Sequence, residues 1–421
     1  MRFKVYLREV AEFQKGFAFK SKDYVDKGTK IVKVSNLTAD SIDISQCVCI
    51  ENNLAKKYIT KYDLNLKDII ITTVGSWPTN PASVVGKVVR VPKIAENTLL
   101  NQNAVRVRGN ERVTQDYLYY LLKDKSFKSY IVGTAQGSAN QASITQEDIK
   151  NFSFYLPPLE EQEAIADILS SLDDKIELNN QMNETLEEMA QALFKQWFVD
   201  FEFPNEEDQP YKSSSGEMVE SELGMIPKGW DVKSLDQIAS FLNGLAMQKF
   251  RPNEDEDSLP VLKIKELRQE KVTSDSDRCT VKIDSKYKVN DGDVIFSWSG
   301  TLDARIWCGG EVGLNQHLFK VTSDLYPKWF YYMWVVEYLH QFIRIAADRA
   351  TTMGHIKRQH LTEAKVLVPS REQLDKMGKV LEPIIEKIIQ NKVEKRSLES
   401  LRDTVLPKLM SGEIRVSDIE S

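Results

Sequence analysis

Residues 165–197 read IADILSSLDDKIELNNQMNETLEEMAQALFKQW, and this stretch decides the architecture of the chain. Its apolar residues and two asparagines recur at alternating spacings of four and three, which is the repeat of a coiled-coil seam about five heptads long. The sequence therefore predicts a long helix that pairs with another helix along one face. The seam positions are Ile165, Leu169, Leu172, Ile176, Asn179, Asn183, Leu186, Ala190, Leu193 and Trp197.

A second seam follows 212 residues further along the chain, so that Asn179 corresponds to Asn391. We expect the two helices to pack antiparallel, which brings Asn183 near Asn391 and Asn179 near Lys395. Amides buried at seam positions disfavour slipped registers, because a slip would set them against aliphatic side chains. Pro383 predicts either a kink or the true start of the second helix. The second set of positions is Met377, Leu381, Ile384, Ile388, Asn391, Lys395, Leu398, Arg402, Val405 and Leu409.

The regions that precede the two helices are also copies of each other. Residues 117–122 (YLYYLL) align with 329–334 (WFYYMW), and residues 100–103 (LNQN) align with 314–317 (LNQH). Each copy has short β-branched stretches broken by Gly, Asn and Pro, then an aromatic helix, a polar loop and a last strand. The aromatic helices are predicted at 116–131 and 329–345, with their rings in the core.

The predicted fold class is α+β, with two duplicated α/β domains that alternate with two long helices paired as an antiparallel coiled coil. The predicted boundaries are residues 1–156 for the first domain, 157–201 for the central helix, 202–225 for an exposed linker, 226–368 for the second domain and 369–414 for the C-terminal helix. At 421 residues with 42% hydrophobic content, the chain is long enough for several folded cores.

The formal net charge of −6 hides an uneven distribution. Residues 159–225 hold 18 acidic and three basic side chains, so the rest of the chain has a net charge of +9. Basic globular domains beside an acidic segment are compatible with a DNA partner. The chain has no apolar run of the length that a membrane span needs, and its N-terminus is charged, so we expect a cytoplasmic protein.

The motifs of several enzyme classes are absent from the sequence. The four cysteines, Cys47, Cys49, Cys279 and Cys308, lack zinc-ligand spacing, and no phosphate-binding glycine motif or H-E-x-x-H is present. All four histidines lie in the second half, which excludes a duplicated catalytic site that uses histidine. We therefore predict no catalytic residue, no metal site and no cofactor bound by this chain.

Short motifs mark the starts and ends of the predicted domains and long helices. They are LPPLEEQE at 156–163, its weaker copy VPSREQ at 368–373, SELGMIPKGW at 221–230, FKQWFVDF at 194–201 and KLMSGEI at 408–414. These motifs resemble those of the specificity subunits of type I restriction-modification systems, and the resemblance covers essentially the whole chain. One departure is that the first half lacks the I-P-x-G-W start that the second half shows.

The resemblance implies a bacterial or archaeal DNA-binding subunit without catalytic activity of its own. Its two target recognition domains would each read one half-site of a bipartite sequence in double-stranded DNA. The helices would bind two adenine methyltransferase (M) subunits, and restriction (R) subunits would join the complex. S-adenosylmethionine, ATP and Mg are implied for those partners. The alternative hypothesis is a coiled-coil adaptor that binds proteins and does not read DNA.

Two polar loops in each half are the predicted DNA-binding segments, because base readout needs donors and acceptors on loops that can enter a groove. One loop follows an apolar strand and the other follows the aromatic helix. Their sequences differ between the halves, as expected if the halves read different half-sites. The candidates are Thr73, Gly75, Ser76, Trp77, Gln136, Ser138, Asn140, Gln141 and Ser143 in the first half, and Ser299, Gly300, Thr301, Arg349, Thr351, Thr352, His355 and Lys357 in the second.

Overall fold

A computed structural model of the chain describes residues 2–38, 41–77, 84–138, 141–348 and 354–416. The chain forms two compact units. The first unit contains Met1–Asp174 and Glu399–Ser421, and the second contains Lys175–Leu398. Each unit therefore combines one globular domain with a part of each long helix.

In the described part of the first unit, fourteen short strands and five short α-helices precede the long helix α6. The strands are β1 (Phe3–Tyr6), β2 (Ala11–Lys15), β3 (Tyr24–Val25), β4 (Thr29–Val32), β5 (Val48–Ile50), β6 (Asp63–Leu64), β7 (Ile69–Thr72), β8 (Val74–Gly75), β9 (Val88–Arg90), β10 (Thr98–Leu100), β11 (Ala104–Gly109), β12 (Gln136–Ser138), β13 (Gln141–Ser143) and β14 (Ser153–Leu156). The helices are α1 (Asn52–Ala55), α2 (Ile59–Tyr62), α3 (Gln115–Lys123), α4 (Lys125–Gly133), α5 (Gln146–Lys150) and α6 (Leu159–Phe194).

The second unit repeats this plan. A π-helical turn (Lys195–Val199) ends α6, and the helices that follow are α7 (Leu235–Ile238), α8 (Ile264–Gln269), α9 (Lys328–Asp348), α10 (Arg358–Glu363) and α11 (Arg371–Ser411). The strands are β15 (Met218–Ser221), β16 (Gly224–Pro227), β17 (Asp231–Ser234), β18 (Ser240–Asn243), β19 (Ser258–Leu262), β20 (Arg278–Thr280), β21 (Lys288–Val289), β22 (Val294–Ser297), β23 (Asp303–Ile306), β24 (Val312–Leu314), β25 (Leu318–Thr322) and β26 (Lys365–Val368).

The sheets confirm the predicted duplication. The four-stranded sheet β2-β11-β7-β9 of the first unit has its counterpart in β18-β25-β22-β23 of the second. The parallel pair β4 and β10 corresponds to β19 and β24, and the antiparallel pair β1 and β14 corresponds to β17 and β26. Equivalent strands occupy equivalent positions, so both units have the same α+β fold.

The aromatic helices supply the core, as predicted. Tyr117 and Tyr120 are 0% and 1% exposed, and Trp329 and Phe330 are equally buried in the second unit. The first aromatic segment is not one helix, however, because α3 ends at Lys123 and α4 begins at Lys125. Asp124 is in an extended conformation between them, and its side chain accepts a hydrogen bond from the amide of Ser126, which starts α4.

The segment predicted as a linker is largely exposed, but it has its own structure. β15 pairs with β16 to form a hairpin that extends from Met218 to Pro227. Phe203 is 1% exposed and stacks on Tyr211 and Trp230, with ring centroids 4.6 Å and 5.0 Å away. The acidic composition of the segment therefore indicated exposure correctly and gave no sign of the hairpin.

The two copies start differently, where the first half lacks the I-P-x-G-W motif. In the second unit, the Trp230 indole donates to Gln373 Oε1 at 2.9 Å near the start of α11. The strand register places Arg2 at the position of Trp230, and its guanidinium donates to Glu161 near the start of α6. Arg2 also donates to the carbonyls of Leu409 and Met410. The Arg2 guanidinium thus donates hydrogen bonds to the last carbonyls of α11. Positive charge is favourable there because the C-terminal end of a helix carries a partial negative charge.

The long helices pack antiparallel within each unit. In the second unit, Asn391 Nδ2 donates to Asn183 Oδ1 at 3.0 Å, which is the contact that the seam register predicted. Asn179 donates to Glu394 rather than lying against Lys395, which is one residue away from the predicted position. In the first unit, Arg402 contacts Asp173 at 2.7 Å. The predicted antiparallel helix pair is confirmed by these contacts.

The seam positions are shielded from solvent along both helices. Fully or nearly fully buried are Ile165, Leu169, Ile176, Asn179, Asn183, Ala190, Trp197, Met377, Leu381, Ile388, Asn391 and Leu409, and partly buried are Leu172, Leu186, Leu193, Ile384, Lys395, Leu398, Arg402 and Val405. Pro383 does not mark the start of the second helix, because α11 begins at Arg371 and continues through it. The helix therefore accommodates the loss of one main-chain donor.

Candidate nucleic-acid interface

The two predicted loops of the first unit lie side by side. Residues 74–75 form β8, and the loop after α4 forms the hairpin β12–β13. β13 pairs antiparallel with β8, so that Ala142 is opposite Gly75 and Ser143 is opposite Val74. The amide of Ile144 also donates to the carbonyl of Thr73 at 2.9 Å. Segments about 60 residues apart in the sequence therefore form one small sheet.

The second unit joins its two loops with corresponding main-chain bonds. Ser299 forms an antiparallel bridge with His355, and the amide of Gly300 donates to the carbonyl of Gly354 at 2.9 Å. The amide of Ile356 donates to the carbonyl of Trp298 at 3.0 Å, which is the counterpart of the bond from Ile144 to Thr73. The same frame therefore holds different side chains in the two units.

A third segment adjoins the two joined loops of each unit, and we call the three segments together the loop cluster of that unit. This third segment was not among the predicted DNA-binding segments. The backbone passes close to a distant segment at Gly16 and Gly244, where an added Cβ would lie 1.9 Å from the carbonyl oxygen of Asn101 and 2.3 Å from that of Asn315. No side chain fits there, because the obstacle is backbone. The repeated G-x-A-x sequences at 16–19 (GFAF) and 244–247 (GLAM) are the signal that could have revealed this segment.

In the second unit, the loops carry a connected set of polar side chains. The Trp298 indole donates to Asn243 Oδ1 at 3.0 Å, and the Ser299 hydroxyl lies 3.0 Å from His317 Nδ1. The ring of Trp298 lies 6.3 Å from that of His355, between centroids. Asn243 has its carbonyl occupied by Trp298, so its exposed amide nitrogen is available as a donor.

The predicted site residues differ in how accessible they are. Thr73 and Ser299 are only 5% and 6% exposed, and they hold the loop frame through their main chains. Gly75, Ser76 and Trp77 are partly buried, and Ser138 belongs to β12. Asn140, Arg349, Thr351 and Thr352 lie outside the described residues. The exposed candidates are Gln136, Gln141, Ser143, Gly300, Thr301, His355 and Lys357.

Among the described residues, no cluster of three or more His, Cys, Asp or Glu side chains could hold a metal ion. The four cysteines are free thiols, and burial raises the pKa of Cys308 to about 11. None of the helices in the described part of the chain has both the length and the apolar character of a bilayer-crossing segment.

The architecture defines a class of protein in which a duplicated chain presents two loop clusters, each on one α+β domain that is attached to paired long helices. The family model described as the type I restriction modification DNA specificity domain matches residues 3–188 and 227–400. The chain belongs to this family, the type I restriction enzyme specificity subunits, which give such a restriction-modification complex its DNA sequence recognition.

Individual relatives agree with this assignment. The chain is 30% identical over 336 residues to the MjaIX specificity subunit of Methanocaldococcus jannaschii, an alignment that covers 77% of this chain and 75% of the relative. It is 25% identical to the HindI specificity subunit of Haemophilus influenzae, with 86% and 88% covered. The crystal structure of the S subunit from M. genitalium has a TM-score of 0.58 at 16% identity, with 97% of this chain and 96% of that chain covered, and so shares the fold.

Proposed function

We propose that each loop cluster reads one half-site of a bipartite sequence in double-stranded DNA. The observation that carries this proposal is the repeated main-chain frame, which presents different donors and acceptors in the two units. The first presents Gln136, Gln141 and Ser143, and the second presents Thr301 and His355 beside the cation Lys357. Amide, hydroxyl and cationic groups distinguish base edges in the major groove.

The chain acts in this proposal as the non-catalytic part of a larger assembly. The paired helices bind two methyltransferase subunits, which in turn carry S-adenosylmethionine, and restriction subunits add ATP- and Mg-dependent activity. The names of the relatives support this role, because they are specificity subunits of restriction enzymes. The absence of nucleotide-binding and metal-binding motifs from the sequence supports it as well.

Replacement of one domain tests the proposal. Residues 3–155 are exchanged for the corresponding domain of a relative, and Arg2 is retained because it contacts Glu161 and the end of α11. Methylated adenines are then mapped by sequencing DNA from cells that contain the methyltransferase partner. We expect one half-site to change and the other to stay the same. A change in both half-sites would contradict independent reading by the two units.

Two controls separate this function from the alternatives. The purified chain alone should neither methylate nor cleave DNA, and adding the methyltransferase should produce methylation at one bipartite sequence. DNA affinity should fall steeply as the salt concentration rises. The reason is that each lysine or arginine that binds a phosphate releases a counterion from the DNA, and this release is less favourable at high salt. An adaptor that binds only proteins would show no such dependence.

A further inference from the structure

The first unit has an exposed surface that neither predicted loop includes. Four aromatic rings form a cluster in which the centroid of Phe17 lies 4.7 Å from that of Tyr58 and 5.2 Å from that of Tyr62. Phe19 lies 5.2 Å from Tyr58, and all four rings are partly exposed. Exposed lysines are near these residues in the sequence, and the Lys61 ammonium lies over the ring of Tyr62. We name the following set the aromatic-lysine surface: Phe17, Phe19, Tyr58, Tyr62, Lys15, Lys20, Lys57 and Lys61.

This surface is continuous with the loop cluster. The amide of Phe17 donates to the carbonyl of Leu100, and the amide of Gln102 donates to the carbonyl of Phe17. One residue further along, the carbonyl of Asn103 accepts from the amide of Thr73, where the first predicted loop begins. A duplex that contacts the loops of the first unit would therefore pass next to the aromatic-lysine surface.

Its polar groups are unpaired among the described residues. Lys15, Lys20 and Lys57 form no ion pair or side-chain hydrogen bond there, and the Lys61 ammonium contacts only the ring of Tyr62, 5.6 Å from its centroid. The hydroxyls of Tyr58 and Tyr62 likewise have no partner among those residues. The surface therefore offers donors and positive charge without a counterion of its own.

The same place in the second unit has a different character. Met247 and Ile283 are buried there, Leu245 and Tyr287 are partly buried beside them, and the Lys286 ammonium lies 5.2 Å from the centroid of the Tyr287 ring. Two of its lysines have acidic partners, since Lys282 pairs with Glu256 at 3.2 Å and Lys286 pairs with Asp284 at 3.3 Å. The shared fold does not require free cations at this position. The fold alone therefore does not account for Lys57 and Lys61, which have no ion pair among the described residues of the first unit.

We propose that the aromatic-lysine surface binds the phosphate backbone of double-stranded DNA beside the first half-site. This inference rests on the proposed function. The rings pack against one another at tilted or perpendicular angles, so they support the ammonium and hydroxyl groups rather than offering open faces to unpaired bases. Phosphate contacts add affinity and fix orientation, and they carry no sequence information.

The test measures DNA affinity against salt concentration for the full chain assembled with its methyltransferase partner. In the variant Lys57→Ala/Lys61→Ala, the slope of log K against log salt should become less steep by about two, because each lost phosphate contact contributes about 0.9. The methylated sequence should stay the same. The matched control is Lys282→Ala/Lys286→Ala in the second unit, whose lysines are already paired, and its slope should equal that of the parent.

A second variant, Tyr58→Phe/Tyr62→Phe, removes the hydroxyls and keeps the rings. It should weaken binding by several-fold without changing the slope. Both variants alter exposed or partly exposed groups, and thermal unfolding checks that they fold. An unchanged slope in Lys57→Ala/Lys61→Ala, an equal change in the control, or an altered target sequence would each overturn the inference. If DNA binding by the parent complex does not depend on salt, that result contradicts the proposed function itself and not only the role of the aromatic-lysine surface.

Discussion

The buried amide pair between α6 and α11 allows a quantitative test of the helix seam. Asn391 Nδ2 donates to Asn183 Oδ1 at 3.0 Å, and Asn183 Nδ2 donates to the carbonyl of Ile388 at 3.4 Å. Asn391 Oδ1 is buried and accepts no hydrogen bond from a described residue. In the variant Asn183→Leu, the whole amide of Asn391 would therefore be buried without a side-chain partner.

An orphaned buried polar group costs about 1–3 kcal/mol, so Asn183→Leu should lower the free energy of unfolding by that amount. In Asn183→Leu/Asn391→Leu both amides are gone, and replacing both partners of a buried hydrogen bond by apolar groups is nearly neutral or stabilising. The double variant should therefore be at least as stable as the parent. The coupling energy of the double-mutant cycle should be about 1–3 kcal/mol.

The assay is urea unfolding of the parent, both single variants and the double variant, followed by circular dichroism. Gln181→Leu, on an exposed position of the same helix, is the matched control and should change stability by less than about 0.5 kcal/mol. Additive effects of the two seam substitutions, or a double variant less stable than either single one, would refute the hydrogen-bonded pairing. The amides also set the register, so the double variant should lose selectivity for one helix alignment.

Three further predictions concern the helices and their contacts. Inserting four residues between Asn183 and Leu186 adds about 6 Å of helix. At about 3.4 Å per base pair, methylation mapping should show unchanged half-sites separated by a gap that is one or two base pairs longer. An active variant that keeps the original gap would contradict this prediction. Arg402→Met leaves Asp173 without its cation and should destabilise the first unit by about 2 kcal/mol in urea unfolding, whereas Arg402→Met/Asp173→Asn, which removes the charge and keeps an acceptor for the Tyr120 hydroxyl, should recover most of the loss. Gln162→Leu should cost about 2 kcal/mol in the same assay, because the fully buried amide makes three hydrogen bonds to backbone groups.

The two units attach their domains to the helices by different chemistry. In the first unit, the hydroxyl of Tyr120 donates to Asp173, which also accepts from Arg402. Burial and the neighbouring carboxylate raise the pKa of Tyr120, so the phenol stays protonated and remains a donor. The equivalent residues of the second unit, Tyr332, Ile385 and Ala190, line a cavity of about 40 Å³. The equivalent positions therefore lie together in both units, but the hydrogen-bonded polar side chains of the first unit are replaced by isoleucine and alanine beside the tyrosine of the second.

The second unit uses an ionic network at a nearby position instead. Lys392 of α11 contacts Glu270 at 2.8 Å and Glu187 of α6 at 3.4 Å. Burial opposes the charge on Lys392, but the two carboxylates outweigh it and raise the pKa of the ammonium. The network therefore remains charged across the neutral pH range. It connects both long helices to the domain through one side chain.

The sequence alone was sufficient to predict the duplication, the two long helices and their register. These features leave a periodic pattern of apolar residues, and the pattern depends only on which face of a helix or strand is buried. The asparagines at 179, 183 and 391 fixed the alignment because a polar residue in an apolar seam can match few positions. The aromatic helices were also predictable as core, although the break at Asp124 was not.

Only the tertiary structure showed what each loop cluster contains. Strand β8 pairs with β13, and Gly16 and Gly244 come close to the backbone of a distant segment. Lys57 and Lys61 have no ion pair among the described residues. Such contacts leave no periodic pattern, because one main-chain bond or one ion pair depends on where the whole sheet places its strand ends. The sequence identified which residues could bind DNA, and the fold decided which of those that the structure describes are buried and which are exposed.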